Sequence, residues 1–269
     1  VNESPGARFG LEWISIAALL GLVTWGVSAW SWSATATPRI GYSAAVVSAG
    51  GVAPIVPDPA GVARARVSPA IAASEPLAAR VDPDWLKRVG AATGIPHRAL
   101  AAYAGAALAL AAEKPQCHLG WNTLAAIGHI ESDDGRHGGA VLSDNGYSSV
   151  PIIGPKLDGG AFAGIHDSDG GVWDGDTVWD HAVGPFQFLP QTWRIWGADG
   201  NGDGQADPNQ MDDAALAAAR YLCHAGDLSS VDGWRRAVLS YNHSESYVDD
   251  VARVANSDLA AAGSTSQRS

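Results

Sequence analysis

The chain has 269 residues, 46% of them hydrophobic and 17% charged, which suffices for one well-packed domain with appendages or for two small domains. Its net charge of −11, from 28 acidic against 17 basic residues, argues against nucleic-acid binding, which needs a basic face.

The N-terminal region carries a targeting signal. Trp13 to Trp30 is almost free of charge and as a helix spans about 27 Å, near the lower limit for crossing a bilayer. Arg8 precedes it, no Lys or Arg follows until Arg39, and Trp25, Trp30 and Trp32 gather at the far end, where aromatic rings favour the membrane interface. A signal peptide cut after Ala34-Thr35-Ala36 is the competing reading. The apolar run is longer than a usual signal core, which favours an uncleaved anchor over residues 1–32. Either reading exports the rest of the chain. Residues 33–80, rich in Ala, Val, Pro and Ser without a sustained period, read as a linker.

From Val81 the patterning becomes helical. "DPDWLKRVGAATG" opens with Asp and Pro at a helix start, and "IPHRALAAYAGAALALAAEKP" is a second helix ended by Pro115. "LGWNTLAAIGHIES" is a third, placing Trp121, Leu124, Ile127 or Gly128, and Ile130 or Glu131 near one face. Residues 133–180 are dense in Gly and Asp and predict loops with one small hairpin at most. Helical patterns return at "PQTWRIWG", "MDDAALAAARYLCHAG", "VDGWRRAVLSYNHS" and "SESYVDDVARVANSDLAA". No internal repeat is present, and residues 257–269 read as a disordered tail. The outline over 81–256 is a helical domain with a loop-rich lobe after the third helix.

Cys117 and Cys223, widely spaced in an exported chain, read as a disulfide, the alternative being two buried thiols. His118 and His224 each follow a cysteine, but adjacent Cys-His pairs fit the usual zinc-ligand spacing poorly. Glu131 ends an apolar helix facing the loop-rich lobe. A carboxyl held against apolar surface has its charged form disfavoured, so it can stay protonated and act as a general acid. The bland alternative is a solvated charge at a helix end.

Three segments in order, "AIGHIES", "HAVGPFQFLPQTW" and "LSYNHSESYV", resemble the lytic transglycosylases of bacterial cell walls, most of all the exported actinobacterial branch related to membrane-bound lytic transglycosylase B. The resemblance covers about Val81 to Asn256. It implies a mainly α, α+β lysozyme-like fold with a groove for a glycan strand. It places Glu131 as the single catalytic acid and base, followed by Ser132, with Gly184, Pro185, Phe186 and Gln187 lining the groove. Gln187 is expected to hydrogen-bond sugar acetamido groups, Tyr241 and Asn242 to orient substrate and acid, and Tyr221 and Tyr247 to stand around the substrate. Tyr221 packing beside the Cys223 bridge and Phe186 serving half as core are the structural alternatives. Family members often carry methionine where Phe186 stands. The implied reaction cuts the bond between N-acetylmuramic acid and N-acetylglucosamine to leave a 1,6-anhydromuramic end, with no cofactor for catalysis; the alternatives are a lysozyme-type hydrolase of the same bond and a non-catalytic wall-binding protein. Implied partners are peptidoglycan glycan strands, the membrane through the N-terminal segment, and proteins of wall synthesis or division.

The remaining acidic residues read as structural. Asp133 and Asp134 are expected in a solvated turn, and Asp167, Asp169, Asp174 and Asp176 in "HDSDGGVWDGD" as turn formers. Asp180 is placed to orient the groove segment. "DGNGDGQADPNQMDD" opens like a calcium-binding EF-hand loop, with Asp199, Asn201, Asp203, Gly204 and the carbonyl of Gln205, and Asp207 as a further candidate. Gln210 stands where the closing Glu is usual, and the resemblance moves the closing ligand to Asp213. A structural calcium ion is the expectation.

Overall fold

A computed structural model describes Val62 and residues 75–266. The proposed anchor or signal segment and most of the linker lie outside the described residues, as do the last three positions of the tail. Among the described residues no helix is long and apolar enough to cross a membrane.

Seven α-helices form the described body: α1 Pro83–Thr93, α2 His97–Glu113, α3 Trp121–Ser132, α4 Pro190–Trp196, α5 Met211–His224, α6 Val231–Tyr241 and α7 Glu245–Ser266. Their ends follow local chemistry. Asp82 caps α1 by accepting from the Trp85 amide at 2.7 Å, Pro83 takes the first position, and Gly94 ends the helix in the left-handed region. Ser230 caps α6 through the Gly233 amide. The side chain of Gln210 caps α5, accepting from the amides of Asp212 and Asp213.

The alanine-rich helix α2 is the central post. Its residues from Ala99 to Ala107 are all buried, and it packs against α1, α3 and α5. Small side chains let these axes approach closely, while Leu100, Leu124, Ile127, Leu222 and Trp234 fill the core between them. α7 lies across α1 and α3. Cys117 and Cys223 form a disulfide with a Cα–Cα distance of 5.4 Å, tying the residues before α3 to the end of α5 across a sequence separation of 106. Closing a loop of that length stabilises the fold by roughly 4–5 kcal/mol in the chain-entropy picture.

Both expected domain edges move outward. Leu77–Arg80 forms a 3-10 turn with Leu77 buried, so the folded body begins before Val81. At the other end α7 continues through Ser266, with Ala262 packed against the core, because the alanine-rich stretch after Leu259 keeps helical propensity and an inner face.

The lobe between α3 and α4 has no sheet. Isolated antiparallel bridges such as Leu142↔Ser148, Ile153↔Val183 and His166↔Trp179 stand where one small hairpin was expected, within the mainly α fold. The apolar pieces are too short and the Gly and Asp too dense for a ladder to extend. A small second core of Leu157, Ala182 and Leu189 holds this lobe, with Phe162 and Ile165 packed on it.

Candidate active site

Glu131 sits in the last turn of α3, half-buried. Its Oε1 accepts a hydrogen bond from the Tyr247 hydroxyl of α7 at 2.6 Å. Desolvation raises its pKa from 4.5 to about 7, and the Tyr247 hydrogen bond, which favours the carboxylate, offsets part of that rise. Burial also holds the Tyr247 and Tyr241 hydroxyls well above the usual phenol range, with the Glu131 charge adding to the effect. A carboxyl near pH 7 beside neutral phenols can give a proton and take it back.

The segment 184–187 is tied to Ser132, the residue after this carboxyl, and to Tyr241. Gly184 has φ 75°, and a Cβ there would lie 1.8 Å from the Pro208 carbonyl, so only glycine fits. The carbonyl of Pro185 accepts from the Ser132 hydroxyl at 2.7 Å, and that of Phe186 from the Tyr241 hydroxyl at 2.6 Å. Gln187 is half-buried with φ 49°, and its Nε2 donates to the Gly184 carbonyl at 2.9 Å. Two helix ends thus grip two successive carbonyls of one turn, α3 through Ser132 and α6 through Tyr241.

Several residues expected to face substrate take part in this frame. Ser132 is 1% exposed and spends its hydroxyl on Gly128, Pro185 and the Gly135 amide. Phe186 is wholly buried, edge-on to Tyr103 at 5.7 Å, so it is core and not half wall. Pro185 is buried as well. Tyr241 packs edge-on against Phe188 and Tyr221, and Tyr221 donates its hydroxyl to the Ser240 carbonyl at 2.6 Å. The Asn242 side chain is 6% exposed and accepts from the Ser244 amide. The hydroxyls of Ser132, Tyr221 and Tyr241 thus donate to backbone carbonyls and fix the helix ends around Glu131.

The acidic residues separate in the structure. Asp133 is exposed, as expected, but Asp134 is 2% exposed. The Tyr103 hydroxyl enters from α2 to donate to it, and no periodicity of the turn itself signals that partner. Asp180 is fully buried and accepts from the amide and hydroxyl of Ser168, so it braces the loop lobe. Two groups bring possible ligand atoms within 4.8 Å of one another and by proximity could hold a metal ion: His129, Asp133 and Asp134, and Asp167, Asp169 and Asp180. The first already pairs with Arg136 and the second is filled by backbone amides.

In the 199–213 loop the opening half wraps as an EF-hand does. Asp199 accepts from the amides of Gly202 and Gly204, Asn201 from that of Asp203, and Asp203 from that of Gln205. The closing half differs from expectation. Gln210 is the cap of α5, and Asp207 accepts from Tyr147 and Asn209. Asp213 is buried and takes the amides of Gly200, Asn201 and Asp207 on its two oxygens, with desolvation raising its pKa to about 6. The side-chain oxygens of Asp199, Asn201, Asp203 and Asp213 thus all accept backbone amides around one loop.

An apolar cavity of about 250 Å³ lies between α2 and the start of α3, lined by Ala107, Leu110, Leu119 and Trp121 among others, away from Glu131.

Residues 173–238 match a family model described as Transglycosylase SLT domain. No curated protein and no solved structure matches the chain. The matched stretch holds the 184–187 turn, the acidic loop, Tyr221 and Cys223, but begins after Glu131 and stops short of Tyr241. That domain type acts on peptidoglycan, and with the disulfide it implies an extracytoplasmic location.

Proposed function

We propose that this chain is a lytic transglycosylase, cutting the β-1,4 bond between N-acetylmuramic acid and N-acetylglucosamine with Glu131 as the only general acid and base. The observation that carries it is the half-buried Glu131, with its pKa near 7 and Tyr247 as its hydrogen-bond partner, set against the 184–187 turn of the matched transglycosylase domain. Protonated Glu131 gives its proton to the glycosidic oxygen as the bond to the muramic anomeric carbon breaks. The resulting carboxylate then takes the proton of the C6 hydroxyl as that oxygen bonds to the same carbon. The acid is restored, no water is consumed, and a 1,6-anhydro end remains.

The choice of C6 oxygen over water has a physical reason. Most glycosidases place a second carboxylate to activate water or to attack directly. Burial and the Tyr247 hydrogen bond alone account for the Glu131 shift, while Asp133, Asp134 and Asp180 are committed to Arg136, Tyr103 and Ser168 respectively. With no activated water, the substrate's own hydroxyl has the advantage of an intramolecular nucleophile. The half-buried side chain of Gln187 is the group offered to sugar acetamides.

Mass spectrometry of fragments released from purified sacculi tests the reading. Ends lighter than the hydrolytic product by one water, unlabelled after digestion in heavy-oxygen water, are expected. Labelled reducing ends as the main product would assign a lysozyme-type hydrolase instead.

The calcium expectation for the 199–213 loop is carried by Asp199, Asn201 and Asp203 alone. An ion there would be structural, and it would have to draw Asp213 away from three amides.

A further inference from the structure

Behind Glu131 lies a second, buried carboxylate with no part in the chemistry so far. The helix α3 ends because Asp133 (φ 51°), Asp134 (φ 58°) and Gly135 (φ 81°) all adopt left-handed backbone in succession. Through that turn the amides of Asp133 and Asp134 reach back to the carbonyls of His129 and Gly128 at 2.8 and 3.1 Å. Left-handed backbone disfavours a residue bearing a Cβ by about 1–2 kcal/mol, so two aspartates there need something to hold them.

The Asp134 side chain supplies the hold. Its Oδ1 accepts from the Tyr103 hydroxyl at 3.1 Å, and its Oδ2 faces His129 Nδ1 and Arg136 Nη2, each at 3.4 Å. Tyr103 reaches it from α2 only because Gly128 lacks a side chain: a Cβ there would lie 2.3 Å from the Tyr103 oxygen. The Tyr103 ring in turn meets Phe186 edge-on at 5.7 Å, in the groove turn that Ser132 and Tyr241 also grip. The groups facing Asp134 are therefore Tyr103 from α2, His129 and Asp133 from the end of α3, Arg136 from the turn and Asp258 from α7. Glu131 lies between Gly128 and this turn, so any rotation of the helix end moves its carboxyl relative to Tyr247.

We propose that Asp134 is a positioning residue for Glu131: its buried carboxylate, through Tyr103, His129 and Arg136, holds the left-handed turn that sets where the catalytic carboxyl points. As a role in catalysis this rests on the function proposed above. Asp134 touches no substrate, so its removal affects turnover and leaves binding in place.

The full chain can be tested with Asp134→Asn and with Tyr103→Phe, which deletes one hydroxyl and keeps the Phe186 contact. Each variant is expected to lower kcat about tenfold or more with KM within about twofold, at temperatures well below its melting transition. The double variant should be little worse than Asp134→Asn alone, because both act through one contact. Wild-type kcat in either variant, a loss confined to KM, or additive losses would overturn the proposal. If Asp134→Asn does not fold, Tyr103→Phe carries the same comparison. A second readout stands apart from activity: carbon-13 NMR titration of the Glu131 carboxyl. Tyr103→Phe changes no charge at neutral pH, so a moved midpoint reports a moved carboxyl, and an unmoved one refutes the positioning role. Wild-type protein that releases no glycan, or Glu131→Gln with undiminished release, overturns the functional reading alone.

Discussion

The end of α3 and the loop lobe around Asp176 both carry carboxylates, and they treat them in opposite ways. Asp176 accepts from the amides of Val178 and Trp179 and pairs with Lys156 and His181, and these donors hold its pKa well below the usual carboxylate range. Glu131 has one donor, Tyr247, and desolvation by burial raises its pKa to about 7. Donor-rich carboxylates fix loops and stay ionised; a donor-poor one keeps its proton and can pass it on. The difference lies in the number of N–H and O–H groups aimed at each carboxylate, not in the residue type.

The sharpest way to break this comparison is Glu131→Gln, which keeps the shape and removes the transferable proton. Glycan release should fall by about 10²–10⁴-fold, the usual worth of a positioned acid or base. Its stability effect should have a definite sign. A carboxyl whose folded pKa lies above its unfolded one favours the fold when protonated, and that contribution is lost as pH rises from about 4.5 through about 7. Glu131→Gln should therefore match wild type near pH 4 and exceed it at pH 8, by on the order of 1–3 kcal/mol in denaturant melts. Equal stability at both pH values would mean that the carboxyl is not desolvated.

Opening the Cys117–Cys223 bridge by paired Cys→Ala substitution should lower stability by roughly 2–5 kcal/mol and leave the pH profile of the remaining activity in place. A shifted profile would show that the bridge shapes the site as well as the fold.

Tyr247→Phe sharpens the donor-counting argument. Removing the one hydrogen bond to the carboxylate should raise the Glu131 pKa further and carry the alkaline limb of activity, where the acid is lost, to higher pH. A limb that moves to lower pH would contradict the assignment. Asp176→Asn is the matching change in the lobe: a modest fall in melting temperature is expected, with no movement of that limb.

The smallest effect concerns the 199–213 loop. Asp213→Ala should cost about 1–3 kcal/mol by leaving buried amides without an acceptor. Millimolar calcium, by contrast, should raise the melting temperature little, because binding must first break those bonds. A large calcium-dependent rise that Asp203→Ala abolishes would restore the EF-hand reading.

Helix positions and types were legible from residues alone, because caps, Pro and Gly signals and apolar periodicity act within a few residues of one another. Asp82-Pro83 starts α1, Gly94 ends it, and among the described residues the seven helical stretches read from Val81 onward are the seven α-helices. Glu131 was legible as a candidate on the same local grounds, through its apolar helix and the glycine-rich turn beyond. Its partner Tyr247, 116 residues later in the chain, was placed near the substrate by resemblance, but its hydrogen bond to Glu131 came only with packing. Ser132, Phe186 and Asp134 show what tertiary structure alone decided. Whether a hydroxyl, a ring or a carboxylate faces a ligand or the interior depends on which distant element packs over it. For Asp134 that element is α2, admitted by the missing side chain of Gly128. Local sequence carries propensity and period; burial and donor count, which set a carboxyl's pKa, arise from contacts across the fold.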